Sequence, residues 1–201
     1  MNENEVLNTK RIIELNNTTT NTLDNMSRYT NEIEQVCTIR DEKYASLALH
    51  AAHNSNMKYH QHGCIAVADG TILARGWNSY GSSCSLKDKY LQNTCSCHAE
   101  VDVMRKIERL LVKKQLHNTN RTNMRTRFLS RISIYVVRKD KCGNQYKDSS
   151  PCLNCGNFMK SMNIKNVIYS NASGTLTKCR VRDYATTYSS HGTRFLNHEY
   201  I

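Results

Sequence analysis

Two long stretches of the chain carry apolar residues three and four positions apart, the spacing of one face of an α-helix. The first runs from Asp41 to Asn54, and the second, more regular one from His98 to Leu116. The two apolar stripes consist of Tyr44, Leu47, Ala48 and Ala51, and of Val101, Met104, Ile107 and Leu111. A third helix is predicted to open at Pro151 and to reach about Asn163, because proline is tolerated in the first turn of a helix.

Short apolar runs rich in β-branched residues predict strands between these helices. Two of them, residues 64–68 and 71–74, flank Asp69-Gly70, a dipeptide typical of a hairpin turn. The other predicted strands are residues 132–137, 167–169 and 176–181, with polar loops over 79–96 and 139–149. The order α-β-β-α-β-α-β-β predicts an α/β protein, a three-layer α-β-α fold with a mixed central sheet of about five strands.

Other parts of the chain lack a sustained apolar period. Residues 1–37 are rich in Asn and Thr, and we expect a flexible tail there, ahead of one domain over 38–201. Residues 117–131 are predicted to be a basic, polar insertion loop. No run of 18 apolar residues exists, and the acidic, polar start lacks the features of a signal peptide. We therefore expect a cytoplasmic protein without a membrane partner.

The cysteines point to metal binding. Nine cysteines in a chain without a signal peptide favour thiols and metal ligands over a disulfide framework. Cys152 and Cys155 are three residues apart at a predicted helix start, so both sulfurs can share one ion. With His98, at the start of another predicted helix, they complete three ligands and leave a fourth position open. That set is typical of catalytic zinc, whereas a structural zinc site would use a fourth side chain.

Glu100 is the candidate acid–base residue. It lies two residues after His98 and therefore projects in a different direction, which suits it to exchange protons with water rather than to bind the metal. A zinc ion lowers the pKa of water from about 15.7 toward neutrality, so these residues together predict hydrolytic chemistry. A zinc site that only holds the fold together is the simpler alternative.

The two segments His98-Ala99-Glu100 and Pro151-Cys152-Leu153-Asn154-Cys155 resemble the signature of the zinc-dependent cytidine and deoxycytidylate deaminase superfamily, H-x-E followed by P-C-x-x-C. Residues 62–67 look like the first core strand of that family, and residues 74–78 like the segment whose Asn contacts the substrate. The resemblance covers about residues 41–182. It implies that His98, Cys152 and Cys155 bind Zn²⁺ and that Glu100 moves protons while a cytosine or adenine ring loses ammonia. The expected substrate-binding residues are Asn78, Ala99 and Ser150.

Cys97, directly before His98, is similar to the deoxycytidylate deaminase form of the motif. The resemblance therefore implies a hydrolase acting on cyclic amidines, which converts dCMP to dUMP and ammonia, with a small nucleotide as partner and a homo-oligomeric state. Two alternatives stay open. One is a deaminase acting on cytidine or adenosine in transfer RNA or single-stranded nucleic acid. The other is a catalytically inactive binding or assembly protein.

Two positions depart from the deoxycytidylate deaminase pattern. Arginines that help to meet the phosphate ahead of the first core strand are replaced here by Lys58-Tyr59-His60-Gln61-His62. Asp102 stands where that family usually has Asn. Both departures bear on the assignment of a monophosphate as the substrate.

The remaining Cys, His and aromatic residues have simpler predictions. A second, structural zinc site could draw on His60, His62, Cys84, Cys95 and Cys97, but the C-x-C spacing on a loop favours scattered thiols. Cys64 is predicted to be a small apolar core residue. We expect Trp77 to pack at the pocket edge, and Tyr135, Tyr169 and Tyr184 to be core or rim residues.

The positive charge is unevenly distributed. The formal net charge is +11, and residues 105–131, called here the basic segment, hold nine basic and one acidic side chain. Such a segment favours anionic partners, including nucleic acid. Arg105, Arg109 and Lys113, however, recur every four residues opposite the apolar stripe, as on a solvated helix face. We therefore expect the basic segment to lie away from the zinc pocket.

Overall fold

The computed structural model describes residues 36–80, 96–116, 121–140, 145–190 and 193–194. All structural statements below refer to these residues. The predicted N-terminal tail lies outside them except for Val36 and Cys37, and so do Cys84, Cys95 and residues 117–120 of the predicted insertion.

Helices and strands alternate along the described chain much as the apolar pattern predicts. The helices are α1 (Ile39–Ala52), α2 (Ala99–Lys113), α3 (Thr122–Leu129) and α4 (Leu153–Ser161). The longer strands are β1 (His62–Ala68), β2 (Thr71–Trp77), β5 (Ile132–Lys139), β7 (Asn166–Ser170) and β8 (Leu176–Arg180), and the two-residue strands are β3 (Ser79–Tyr80), β4 (Ser96–Cys97) and β6 (Tyr146–Lys147). None of the helices in the described part of the chain has the length and apolar character that crossing a membrane requires.

The five longer strands form one mixed sheet in the order β2-β1-β5-β7-β8. Only β5 and β7 run parallel, and the other neighbours are antiparallel. The predicted hairpin turn is confirmed: Asp69 and Gly70 join β1 to β2 with φ values of 49° and 83°, both in the left-handed region that Asp and Gly tolerate. β6 pairs with the last residues of β5, while β3 and β4 pair with each other.

Helices cover both faces of the sheet, which confirms the three-layer α-β-α arrangement. Side chains alternate along β1, because Ile65 and Val67 belong to the core beneath α1, whereas Cys64 and Ala66 belong to the core that also contains buried residues of α2 and α4. We call the first side the α1 face and the second the metal face. Burial of Cys64, Tyr135, Tyr169 and Tyr184 in these two cores confirms their predicted packing roles.

Glycines allow the helices to approach the sheet closely beside His62 and Trp77. A Cβ atom at Gly63 would overlap the backbone of Ala48 and Ala52 in α1. At Gly76, a Cβ atom would come within 2.8 Å of the Asp102 carboxylate in α2. Both distances are shorter than a side chain could adopt. Glycine at these two positions therefore allows α1 to pack closely against β1, and α2 against β2.

Three sequence predictions are wrong in detail. Residues 122–129, predicted to be part of a polar loop, form α3, because Phe128 and Leu129 pack onto the core of the metal face and supply the tertiary contacts that the helix needs. The third helix begins at Leu153 with Cys152 as N-cap, so Pro151 lies outside the helix it was expected to open. The short strands β3 and β6 fall within predicted loops, and β4 begins at the last residue of one, since two-residue pairings leave no apolar period in the sequence.

Candidate metal centre

Three side chains of the metal face converge on one point. His98 Nδ1 lies 3.3 Å from Cys155 Sγ and 3.5 Å from Cys152 Sγ. Their ligand atoms all lie within 4.8 Å of one another, and no other group of three such residues occurs in the described ranges. We call His98, Cys152 and Cys155 the metal cluster. The structure therefore brings together the three ligands that the sequence predicts.

Helix starts deliver these ligands. His98 is the N-cap of α2 and Cys152 is the N-cap of α4, with carbonyls that accept from the N–H groups of Asp102 and Gly156 at 3.0 and 2.9 Å. Neither side chain caps its own helix, since the imidazole and the thiol turn toward each other instead. Cys155 follows within the first turn of α4.

The segment before Cys152 is anchored to the sheet. The Ser149 hydroxyl donates to the carbonyl of Val136 in β5 at 2.8 Å, and its backbone N–H donates to the carbonyl of Ser170 in β7 at 2.8 Å. Ser149 is 4% exposed. The start of α4, and with it both thiols, is thus held by the two parallel strands at the centre of the sheet.

The donor spacing fits zinc. Tetrahedral coordination with Zn–S near 2.3 Å and Zn–N near 2.0 Å separates a sulfur from a nitrogen ligand by about 3.5 Å. The two Nδ1–Sγ distances of 3.3 and 3.5 Å are close to that value. Two thiols and one imidazole are also ligand types that bind zinc, whereas magnesium and calcium prefer oxygen ligands.

Hydrogen bonds and burial shift the pKa values of the three cluster residues in different directions. Hydrogen bonding from Cys155 and then from His98 lowers the pKa of Cys152 well below its ordinary value, despite burial. Burial opposes a charged His98, yet the hydrogen bond and charge of Cys152 outweigh it and raise the pKa of His98 to about 9. The hydrogen bond between the two cysteines, together with burial, raises the pKa of Cys155. A divalent cation would favour the thiolate form of both cysteines.

Glu100 lies beside the cluster without being one of its three donors. Glu100 is 5% exposed, and its carboxyl group forms a hydrogen bond with Cys155. Burial raises the pKa of Glu100, while the charge of His98 lowers it. The site thus combines three soft ligands with one buried carboxyl group, an arrangement suited to proton transfer next to a metal.

Asn78 directly follows the last residue of β2 and is 7% exposed. Its side-chain carbonyl accepts from the His62 backbone N–H and the Ser55 hydroxyl, each at 2.8 Å, and its amide donates to the His60 carbonyl at 2.7 Å. These bonds tie the chain ahead of β1 to the end of β2. Its role in substrate binding stays a prediction.

The other two predicted substrate contacts adjoin the metal ligands. Ala99 follows His98 and is fully buried. The hydroxyl and the backbone N–H of Ser150 both donate to Asp148 Oδ1, at 2.6 and 3.0 Å, in the turn before Pro151. Their substrate roles also stay predictions.

Two residues near the cluster were missed by the sequence analysis. The hydroxyl of Tyr188 is close enough to interact electrostatically with Cys152, Arg194 and Arg138, and its carbonyl accepts from the Leu153 N–H at 2.8 Å. Tyr188 lies beyond the resemblance and belongs to no motif. The position of Arg138, in contrast, follows from side-chain alternation after Ile134 and Val136 in β5, a signal that the sequence did contain.

One end of the basic segment departs from the prediction that it lies away from the pocket, because Arg105 Nη1 lies 4.0 Å from Cys97 Sγ, next to His98. The other end of the segment follows the prediction. Arg131 forms an ion pair with Asp69 in the β1–β2 turn, at the opposite end of β1 from His62. Arg109, Lys113, Arg121 and Arg127 are exposed. Trp77 packs at the start of α2, where the Lys106 ammonium lies 4.6 Å from the centre of its ring.

The family model for the cytidine and deoxycytidylate deaminase zinc-binding region matches residues 38–171. The chain belongs to this family. The matched residues contain all of the metal cluster and Glu100, so the chain has a zinc-binding deaminase domain with the cytidine-deaminase fold. No curated protein matches the chain.

Several solved structures are similar to this chain at low identity. The dCMP deaminase from the cyanophage S-TIM5, in complex with dCMP and dUMP, is 23% identical over 69% of this chain and 85% of its own, with a TM-score of 0.44. The cytidine deaminase from Burkholderia pseudomallei is 18% identical over 73% of this chain and 95% of its own, with a TM-score of 0.46. A tRNA:A34 deaminase is 21% identical over 65% of this chain and 76% of its own, with a TM-score of 0.39.

Proposed function

We propose that this protein is a zinc-dependent enzyme that hydrolyses dCMP to dUMP and ammonia. The observation that carries the proposal is the convergence of His98 Nδ1, Cys152 Sγ and Cys155 Sγ within 4.8 Å, next to the buried carboxyl group of Glu100. The domain that performs the reaction spans residues 38–201, and we expect it to act as a cytoplasmic homo-oligomer.

The reaction consumes one water molecule and releases one ammonia molecule. The water oxygen forms a bond to C4 of the cytosine ring, and the bond from C4 to the exocyclic nitrogen breaks, leaving uracil. His98, Cys152 and Cys155 would hold the zinc ion, which would supply Lewis acidity that lowers the pKa of water from about 15.7 toward 7.

Glu100 transfers the protons. Its carboxylate takes the two protons of the attacking water in turn, and it delivers one to N3 of the ring and the other to the departing amino nitrogen, which leaves as ammonia. Its burial on the metal face keeps bulk water from competing for these protons, and its position in the first turn of α2 holds it beside the cluster. Asn78, Ala99 and Ser150 are proposed to orient the nucleotide.

The choice of a mononucleotide over a polynucleotide rests on two features. Cys97 before His98 is similar to the deoxycytidylate form of the motif. The basic segment, which is the strongest candidate for binding a nucleic-acid backbone, has its Arg131 at the turn between β1 and β2, whereas His62 and the metal cluster lie at the other end of the sheet. A backbone-binding surface would need to flank the pocket.

A deamination screen of the zinc-loaded protein tests this function. We expect ammonia release with dCMP at a higher kcat/KM than with dCTP, cytidine, single-stranded DNA or transfer RNA. Turnover of DNA or transfer RNA alone would replace the proposal with a polynucleotide deaminase. No turnover of any substrate by protein that retains zinc would indicate a binding or assembly protein.

A further inference from the structure

Arg138 is the last but one residue of β5, opposite His62 in the antiparallel β1–β5 register. In both strands, successive side chains point to opposite faces of the sheet. Ile134 and Val136 contribute to the core of the metal face, and Tyr135 and Val137 to that of the α1 face. Continuing this alternation, the Arg138 side chain projects from the metal face, at the end of the sheet where His62 lies.

The charges around Arg138 connect it to the metal cluster. His62 interacts electrostatically with both Arg138 and His98, and Tyr188 with both Arg138 and Cys152. Arg138 is therefore one side chain away from two of the three cluster residues. Arg194 adds a second cation at Tyr188, and Asp148 is the carboxylate on that side.

The Arg138 guanidinium lacks a protein counter-charge within the described residues. No described carboxylate lies within 4.0 Å of it, and Asp148 Oδ1 is engaged by Ser150. Its Nε atom is buried and has no hydrogen-bond partner among the described groups. A buried N–H donor on a cation is costly unless a ligand accepts from it.

The backbone around Arg138 is firmly held. Its N–H donates to Ser170 Oγ at 3.4 Å, and the N–H of Lys139 donates to the Gln61 carbonyl at 3.0 Å. The segment that would carry arginines in a deoxycytidylate deaminase presents Lys58, which is exposed and lies over the ring of Tyr59. Arg138 is thus the better-positioned cation for an anion near the metal cluster.

We propose that Arg138 binds the 5′-phosphate of the nucleotide and so makes this enzyme specific for a nucleoside monophosphate over the free nucleoside. The inference rests on the proposed function, because it concerns the substrate of the same site. Arginine suits the role, since its fork of N–H donors matches phosphate oxygens and its charge does not depend on pH.

The test compares Arg138→Gln with the unchanged protein on dCMP and on deoxycytidine. A hydrogen bond to a charged group corresponds to about 10- to 100-fold, so we expect kcat/KM for dCMP to fall by at least about tenfold, mainly through KM. The kcat/KM for deoxycytidine should stay nearly constant. Arg138→Lys keeps the charge but loses the fork of N–H donors. Its kcat/KM for dCMP should therefore lie between those of the unchanged protein and of Arg138→Gln. Thermal melting and zinc content verify that each variant is folded and loaded.

Two further variants serve as controls. Arg109→Gln removes an exposed arginine of α2 and should change neither substrate's kinetics. Lys58→Gln tests the competing cation. If Lys58→Gln, rather than Arg138→Gln, separates dCMP from deoxycytidine, the proposal is overturned. Equal losses on both substrates in Arg138→Gln would also overturn it, since they indicate a structural role.

A binding measurement keeps the inference separate from the reaction itself. Calorimetry should show dUMP binding more tightly than deoxyuridine, and Arg138→Gln should remove that difference. Equal binding of dUMP and deoxyuridine to the unchanged protein would contradict the phosphate contact even if dCMP is turned over. If dUMP binds through Arg138 but nothing is deaminated, the proposed reaction fails while the phosphate site stands. A short single-stranded oligonucleotide that outcompetes dUMP would assign Arg138 to a polynucleotide backbone and overturn the proposal.

Discussion

The two faces of the central sheet each bury an acidic residue, and they treat it differently. On the α1 face, Asp41 accepts from the Thr38 backbone N–H at 2.9 Å, the Tyr135 hydroxyl at 2.8 Å and the Lys178 ammonium at 3.0 Å. Burial alone would raise the pKa of Asp41, but these bonds lower it. On the metal face, burial dominates and raises the pKa of Glu100.

The difference separates a structural from a functional use of buried charge. Asp41 joins three elements, α1, β5 and β8, and its oxygens are occupied by protein donors. Glu100 instead lies beside the three side chains of the metal cluster, whose ligand atoms converge on one point and could hold a metal ion. The donors around Asp41 serve to hold three elements of the fold together, whereas several titratable groups with shifted pKa values gathered at one point are typical of a functional site.

The largest expected effect comes from removing a metal ligand. Cys152→Ser should lose its zinc, and turnover should fall to background, because an alcohol is a far weaker zinc ligand than a thiolate. Metal analysis after dialysis measures this directly. Cys37→Ser is the matched control on the α1 face, where the thiol donates to the Leu176 carbonyl, and it should keep its zinc. Full zinc retention in Cys152→Ser would mean that the metal is bound elsewhere.

Glu100→Gln should separate metal binding from proton transfer. The variant keeps the three ligands and the shape of the carboxyl group, so we expect normal zinc content and melting temperature. Turnover should drop by at least ~10²-fold, the scale of general acid–base catalysis. Asp102→Asn is the control, because Asp102 lies in the same helix turn but contacts Lys106 and the Trp77 N–H instead. Near-normal turnover in Glu100→Gln would refute the assigned role.

Asp41→Asn should affect stability and leave turnover unchanged. Removing one partner of a buried ion pair is costly, and because Lys178 keeps 18% of its side chain exposed we expect a loss of about 2 kcal/mol at pH 7. Asp69→Asn, in the exposed pair with Arg131, should cost less than about 0.5 kcal/mol. Chemical denaturation measures both. A loss of activity in folded Asp41→Asn protein would mean that the two faces are coupled.

The stability that Asp41 contributes to the fold should depend on pH. The folded-state pKa of Asp41 lies below the ordinary value of 3.8 for an aspartate, so the carboxylate stabilises the fold above that pH. This contribution is lost as the pH falls through the lowered folded-state pKa. The stability difference between the unchanged protein and Asp41→Asn should therefore be full at pH 6 to 7 and shrink below about pH 4. A difference that stays constant down to pH 3 would contradict the assignment.

The smallest expected effect concerns the basic segment. Replacing Arg121, Arg125 and Arg127 together with Gln should leave dCMP turnover unchanged, because Arg131, at the end of this segment, pairs with the β1–β2 turn far from the metal cluster. A tenfold rise in KM would show that the segment reaches the substrate phosphate. Loss of a tight, salt-sensitive affinity for single-stranded DNA, with turnover intact, would favour the polynucleotide alternative.

Periodicity and turn chemistry in the sequence predicted most of the fold. The stripes of α1 and α2, the Asp69-Gly70 hairpin and the strands β5, β7 and β8 all lie where the pattern indicated, within a few residues. The helix α3 could not be predicted in this way, because its eight residues hold few apolar positions and depend on Phe128 and Leu129 meeting the core of the metal face.

By itself, the sequence determined the candidate metal ligands and the acid–base residue, since their chemistry and local spacing are encoded within His98–Glu100 and Pro151–Cys155. Only the tertiary structure decided that the two segments meet, 3.3 to 3.5 Å apart between Nδ1 and the sulfurs, across more than 50 residues of chain. It also decided that Arg138 faces the same side as the cluster while Arg131 is at the opposite end of β5. The physical reason is that residue type and period fix what a side chain can do and which face it takes, whereas strand order and register fix which side chains it meets.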